Sequence, residues 1–150
     1  MVDVDDLDLR AVIYRRFAST GMAPTRGELV ERIGDPDVAD RQLRRLHDAH
    51  VIVLDDRPER AGEIRMALPF SAVPTEHRVR SGDRSWWANC AWDSLAIAAA
   101  IDDDVHIESV WADSGEPLEF DVVDDVLGLT EGHVHFEIEA RHWWRDIVRT

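Results

Sequence analysis

The sequence predicts an α+β protein with a winged-helix-like helical lobe over residues 1–70 and a mixed α/β lobe over residues 71–150. Three short amphipathic segments open the chain, and stretches that alternate polar and apolar residues dominate its second half. Periods of 3.6 and 2 are typical of half-buried helices and strands, respectively. Hydrophobic residues make up 45% of the 150 residues, which is enough to build a compact core.

The first two segments carry clear helix signals. Apolar residues recur at near-helical spacing in a first helix that ends near Gly21. These residues are Leu7, Leu9, Val12, Ile13 and Phe17. A second helix is expected after Thr25, because Thr25 and Glu28 have the spacing of a capping box. Gly34 is well placed to end that helix.

A third helix is predicted from Asp35–Pro36 to about His50, because Pro is favoured at the first position of a helix. The apolar run 51–54 then reads as a strand, and residues 63–68 can return as its hairpin partner. Three helices followed by a hairpin is the winged-helix pattern. The connector over residues 69–74 separates this lobe from the second one.

Charge bears on the choice of partner. The third helix carries Arg41, Arg44 and Arg45, as a DNA recognition helix would, but three aspartates interleave with them. The net charge is −14, and residues 81–150 hold 16 acids against 4 arginines. An acidic surface repels phosphate, so DNA is not a favoured partner. The chain lacks a run of about 18 apolar residues and starts with an acidic segment, which predicts a cytoplasmic protein without a membrane segment.

The second half predicts a hairpin, a helix, two strands joined by a turn, a last strand and a closing helix. In chain order these are residues 77–87, 89–101, 105–111, 118–123, 133–139 and 141–149. In the strand over 105–111, Val105, Ile107 and Ser109 are expected on one face. Strict alternation marks the strand over 133–139.

Cys90 is the only cysteine, so neither an internal disulfide nor a multi-cysteine zinc site is possible in one chain. If a helix begins near Asn89, Cys90 lies in its first turn, where N–H groups and the helix dipole stabilise a thiolate. Asp93 is three residues further on and shares that face. Cys-x-x-Asp can therefore act as a nucleophile with a proton shuttle. A buried cysteine beside an ordinary helix acid is the alternative.

Three stretches resemble the alkylmercury lyase family, in the same order along the chain. The first holds an aromatic residue before Cys-Ala-x-Asp-Ser-Leu, the second a strand and a turn around Gly-x-Pro, and the third His-Val-His-Phe. The stretches are Trp87–Leu95, His106–Leu118 and Gly132–Phe136. In that family two cysteines and an aspartate cleave carbon–mercury bonds. The resemblance implies that Cys90 is the first cysteine and Asp93 the aspartate.

Glu131 occupies the position that the resemblance assigns to the second cysteine. Mercury prefers soft sulfur to hard oxygen, so an external thiol is expected to supply the second sulfur. Glu131 is kept as a candidate catalytic residue. If the strand over 133–139 extends back, Glu131, His133, His135 and Glu137 share a face that could hold zinc or copper with Cys90. A polar, solvated strand face is the simpler interpretation for His135 and Glu137.

Six tryptophans are many for 150 residues, and three of them flank Cys90. Large aromatic side chains are mostly core, but Trp87 or Trp92 could also wall an apolar pocket for an organic group. Together with His133, these are the candidate substrate-binding residues.

The expected function is therefore cleavage of carbon–mercury bonds by a family member that has one of the two cysteines. No cofactor is required, and Cys90 is the expected ligand of mercury or another soft metal. The expected partner is a small organometal or another thiol-reactive molecule. Two alternatives stay open, namely a non-catalytic protein that binds metal through Cys90, and a winged-helix regulator that senses a ligand. The sequence does not assign an oligomeric state.

Overall fold

The computed structural model describes residues 4–148, with the side chain of residue 4 excepted. It contains four α-helices, two short 3-10 helices and eight strands, and so confirms the α+β class. The helices are α1 (Val4–Thr20), α2 (Arg26–Ile33), α3 (Pro36–Asp48) and α4 (Ala91–Ile101), with 3-10 turns at Pro58–Arg60 and Ala140–Arg145. The strands are β1 (Val53–Leu54), β2 (Ile64–Ala67), β3 (Phe70–Ser71), β4 (Arg78–Ser81), β5 (Arg84–Ala88), β6 (Val105–Val110), β7 (Pro117–Val123) and β8 (Val126–Leu127).

The helix boundaries follow from local chemistry. The Thr25 side chain accepts from the Glu28 amide while the Glu28 carboxylate accepts from the Thr25 amide, so the predicted capping box is confirmed. Gly34 ends α2 in the left-handed conformation. Asp35 caps α3 by accepting from the Val38 amide. Leu7 does not join the core as its spacing suggested, because its side chain is exposed.

All eight strands form one antiparallel sheet in the order β1-β2-β3-β5-β4-β6-β7-β8. The predicted hairpin over residues 77–87 is confirmed as β4 and β5, with Val79 opposite Trp86. The sheet runs across the expected lobe boundary, because β3 lies in the predicted connector and pairs with both β2 and β5. Division of the chain at residue 70 and the winged-helix assignment both stay predictions.

One hydrophobic cluster joins the helices to one face of the sheet. Phe17 from α1 and Ile97 from α4 pack with Val79, Trp86 and Ile107 from the strands, and all five are almost fully buried. The Trp86 indole N–H donates to the Phe17 carbonyl at 2.8 Å. As predicted, β6 buries alternate residues.

Close backbone contact fixes the end of α1 on the sheet. Gly21 follows α1 with φ +73°, and a Cβ at this position would lie 1.9 Å from the Ser85 carbonyl oxygen. Only glycine satisfies both the positive φ and the close approach to β5.

Two buried carboxylates are held by arginines. Asp6 is fully buried and accepts two hydrogen bonds from Arg45, at 2.7 and 2.8 Å. Asp55 is also fully buried and accepts from Arg57 at 2.6 and 2.9 Å. The hydrogen bonds from Arg57 lower the pKa of Asp55 to about 2, against the opposing effect of burial.

One prediction for the end of the chain is wrong. Residues 133–139 form no strand, and all of them are exposed. A closing helix is present, but it is a 3-10 helix over Ala140–Arg145 and so ends before the predicted residue 149, which lies outside the described residues. In the first half, the run over 51–54 forms only the two-residue strand β1.

None of the helices within residues 4–148 has the length and hydropathy needed to cross a bilayer.

Candidate functional site

Cys90 lies at the junction between β5 and α4. It is the N-cap residue of α4, with extended backbone at φ −149°, and not a residue of the first turn as predicted. Its carbonyl accepts from the Ser94 amide at 3.2 Å, which closes the first turn of the helix. The side chain is half-buried and makes no side-chain cap hydrogen bond. The strand end and the helix start therefore fix the position of the sulfur.

The environment favours the neutral thiol. Burial raises the pKa of Cys90, and the negative charge of Asp93 raises it further. The Trp92 and Asp93 amide N–H groups at the start of α4 oppose this rise but do not overcome it. The expected stabilisation of a thiolate by the helix start is thus outweighed. Cys90 needs a proton acceptor before its sulfur can act as a nucleophile.

Asp93 is a suitable acceptor. It lies in the first turn of α4, three residues after Cys90, and close enough to the thiol for each group to shift the pKa of the other. Burial raises the pKa of Asp93 to about 6, although the interactions with Asn89 and Cys90 act in the opposite direction. A carboxyl group with this pKa can take up and release a proton near neutral pH.

Asn89 connects this pair to the rest of the fold. Its side-chain nitrogen donates to the Pro69 carbonyl at 3.1 Å and to the Asp93 carboxylate at 3.2 Å. Both partners are acceptors, which fixes the orientation of the amide. The amide oxygen, Oδ1, is buried without a hydrogen-bond partner among the described residues. An unpaired buried carbonyl typically costs about 1–3 kcal/mol. The sequence marked Asn89 only as the expected start of a helix, because its contacts depend on a distant turn.

The two candidate tryptophans differ in position. Trp92 is 52% exposed, and its ring meets that of Phe136 edge to face with 6.3 Å between centroids. Trp87 points to the opposite face of β5 from buried Trp86. There the guanidinium of Arg78 lies 5.2 Å from the centre of the Trp87 ring. The structure therefore joins Trp92, but not Trp87, to the segment after β8.

That segment, residues 129–139, contains the remaining candidates. Glu131 and His133 are both exposed on irregular backbone, as are His135 and Glu137. The shared strand face proposed for these four residues does not form, because there is no strand. Within residues 4–148 no group of three or more histidine, cysteine, aspartate and glutamate side chains is arranged to hold a metal ion.

Aromatic contacts hold the segment in place. Gly132 packs against Trp111, and a Cβ on Gly132 would lie 3.2 Å from the Trp111 ring. Phe136 contacts Trp143 with 5.2 Å between ring centres. Phe136 and Trp111 were not predicted as neighbours of the candidate residues, and the signal for them in the sequence was their aromatic character.

A cavity of about 430 Å³ lies at the other end of α4, between that helix and β7–β8. Its lining includes five aspartates and does not include Cys90: Asp102, Asp103, Asp104, Asp124 and Asp125. The Cys90–Asp93 pair and this acidic cavity are therefore separate features of the fold.

Comparison with known proteins bears on this site. The family model described as alkylmercury lyase matches residues 70–150, a range that includes β3 to β8 and the Cys90–Asp93 pair. Among solved structures, the chain is similar to the crystal structure of the mercury-bound form of MerB2, with 26% identity and a TM-score of 0.66. The match covers 84% of this chain and 59% of that one, so the chain spans under two thirds of that relative. No curated protein matches the chain significantly.

Proposed function

Since this chain belongs to the alkylmercury lyase family, we propose that Cys90 and Asp93 capture an organomercury compound and cleave its carbon–mercury bond. One observation carries the proposal, namely that the Asp93 carboxyl group, whose pKa is about 6, lies three residues after Cys90 at the start of α4, close enough for each group to shift the pKa of the other. A thiol and a proton carrier in contact are the two functions that such a cleavage needs.

In the first step, the Cys90 sulfur binds mercury and displaces the exchangeable ligand of the organomercury compound. The thiol proton passes to the Asp93 carboxylate, which lies three residues further on at the start of α4. Soft sulfur is the donor that mercury prefers, which favours a thiolate over any carboxylate or imidazole nearby. Transfer of the proton to Asp93 also removes the negative charge that opposes a neighbouring thiolate.

In the second step, Asp93 returns its proton to the carbon attached to mercury. The electron pair of the carbon–mercury bond forms the new carbon–hydrogen bond, and the hydrocarbon leaves. Mercury(II) remains on the Cys90 sulfur and on a thiolate from solution, which binds the metal before the carbon–mercury bond breaks. The external thiol is needed because Cys90 is the only cysteine in the chain. Small thiols are abundant in reducing cytoplasm, which is where we expect the protein to act.

The other candidates have supporting roles in this proposal. Trp92 and Phe136 offer an apolar contact for the organic group next to Cys90. Glu131 stands where the resemblance places the second cysteine, and its carboxylate would be a weaker ligand for mercury than a thiolate. His133 is one residue beyond Gly132 and is retained only as a candidate substrate contact.

A second function, capture of mercury without bond cleavage, is favoured by one observation. The single sulfur of Cys90 can bind mercury, whereas release of the hydrocarbon needs a second thiol from solution. A DNA-binding regulator is less favoured, because Arg45 of the predicted recognition helix is bound to buried Asp6.

The test is incubation with an organomercury compound, with and without excess small thiol, following hydrocarbon release and retained mercury. We expect release only with added thiol, and its loss in both Cys90→Ser and Asp93→Asn. Asp113→Asn makes the same chemical change at an exposed turn and should leave release unaffected. Stoichiometric capture without release would exclude the lyase function and support the capture function.

A further inference from the structure

The side-chain amide of Asn89 links two parts of the fold that are distant in sequence. It reaches the Pro69 carbonyl in the turn between β2 and β3, and the Asp93 carboxylate in α4. We propose that Asn89 is a positioning residue that clamps Asp93 to this turn and so keeps the carboxylate against the Cys90 thiol. This inference rests on the proposed function of the Cys90–Asp93 pair.

The geometry of the amide supports a clamp. One nitrogen has two hydrogens, and the two acceptors use both of them. The Asp93 carboxylate accepts from the amide, so the amide restricts the rotation of the group that must exchange the proton. A fixed carboxylate is what a proton transfer over hydrogen-bond distance requires.

Ordinary structural roles do not account for Asn89. It lies after the end of β5 at Ala88 and before Cys90, the N-cap of α4, so it is neither a strand residue nor the helix cap. Its amide oxygen is buried without a partner among the described residues. The two donated bonds are therefore the contacts that explain an amide at this position.

The chain makes a direct spectroscopic test possible. It contains one asparagine, Asn89, and one glutamine, Gln42, so the carboxamide NH₂ signals in a ¹H–¹⁵N correlation spectrum come from two residues. Asn89→Ala identifies the Asn89 pair. During a pH titration of the full chain, we expect the Asn89 signals to shift with an inflection near pH 6. The inflection should vanish in Asp93→Asn. Signals that do not change with pH, or that titrate equally in Asp93→Asn, would overturn the proposal.

Alkylation of Cys90 by iodoacetamide supplies the second readout, since the chain has one cysteine. The logarithm of the rate should flatten above the pKa of Asp93, where the carboxylate opposes the thiolate. Loss of the amide bonds raises the pKa of Asp93, so Asn89→Ala should move the flattening to higher pH and increase the rate severalfold above it.

Asn89→Gln keeps the amide donor on a longer side chain. Its pH profile of alkylation rate should lie between those of wild type and Asn89→Ala. Ser71→Ala is the matched control. Ser71 lies in the nearby strand β3, and the substitution removes its hydrogen bond to the Val73 carbonyl without changing a contact of Asp93. An Asn89→Ala profile that superimposes on wild type would contradict the clamp. Neither readout uses an organomercury compound, so failure of the clamp and failure of the lyase function remain distinguishable.

Discussion

The ring of Trp92 meets the ring of Phe136 edge to face, with 6.3 Å between their centroids. Trp92 lies in the first turn of α4, two residues after Cys90, whereas Phe136 belongs to the irregular segment 129–139. This contact between aromatic side chains connects the reactive helix start to the segment that carries Glu131. The first two predictions follow from that connection.

Phe136→Ala should loosen the segment 129–139. The substitution removes ring contacts with both Trp92 and Trp143, each of the kind that contributes about 0.5–1.5 kcal/mol beyond area burial. We expect faster proteolytic cleavage within the segment and little change in global unfolding, measured by limited proteolysis and urea denaturation. Val126→Ala changes a more exposed apolar residue on β8 and serves as the control. Equal cleavage rates in wild type and Phe136→Ala would show that the rings do not hold the segment.

Glu131→Cys should restore a second soft ligand for mercury. We expect the variant to retain mercury(II) against a competing dithiol better than wild type, because two thiolates bind this metal more tightly than one. Hydrocarbon release should also depend less on added thiol. The measurement is bound metal after dialysis against increasing dithiol. Glu137→Cys adds a thiol to the same exposed segment, and equal retention by both variants would remove any special role of position 131.

Asp93 should make stability fall as pH rises through the acidic range. The pKa of Asp93 is raised to about 6 by burial, so the folded chain keeps a proton that the unfolded chain loses near pH 4. The unfolding free energy therefore decreases between about pH 4 and pH 6. Asp93→Asn removes this decrease. Above pH 6 its unfolding free energy should exceed that of wild type by up to about 2 kcal/mol, less any solvent screening.

Urea denaturation across that pH range measures the effect. The lowered pKa of Asp55 acts with the opposite sign and at lower pH, because its contribution is lost as pH falls toward 2. The two carboxylates are therefore separable by the window in which each acts. Parallel stability profiles for wild type and Asp93→Asn would rule out a raised pKa at Asp93.

Asp6→Ala should destabilise the helical lobe by about 1–3 kcal/mol, because two charge-assisted hydrogen bonds to Arg45 are lost from a fully buried carboxylate. Asp40→Ala breaks a bidentate pair of similar length with Arg26, but this pair is exposed and should contribute little. Urea denaturation of both variants gives the comparison. An equal decrease in unfolding free energy for the two variants would show that the buried ion pair of Asp6 contributes no more stability than the exposed pair of Asp40.

Features of the fold that depend on a few neighbouring residues could be predicted from the sequence. The capping box at Thr25, the glycine that ends α2 and the turn between β4 and β5 each depend on a few neighbouring residues, and each was predicted correctly. The Cys90–Asp93 contact was also predictable, since residues three apart at a helix start lie on one face. The roles assigned to the site residues stay predictions.

Signals that depend on distant partners were missed or misread. Alternation over residues 133–139 resembles a strand, but a strand also needs a neighbour to supply hydrogen bonds, and here contacts from Phe136 and Gly132 to aromatic rings hold the segment instead. Asn89 could not be interpreted without Pro69, which is 20 residues away. The raised pKa of Cys90 likewise required its burial, which spacing alone does not reveal.

The contacts at the end of α1 have a mechanical consequence. Gly21 approaches the Ser85 carbonyl and Phe17 accepts a hydrogen bond from Trp86, so two adjacent residues of β5 hold the helix. The same strand ends two residues before Cys90. A tilt of α1 would therefore act as a lever on β5, and the sulfur would be displaced together with the strand.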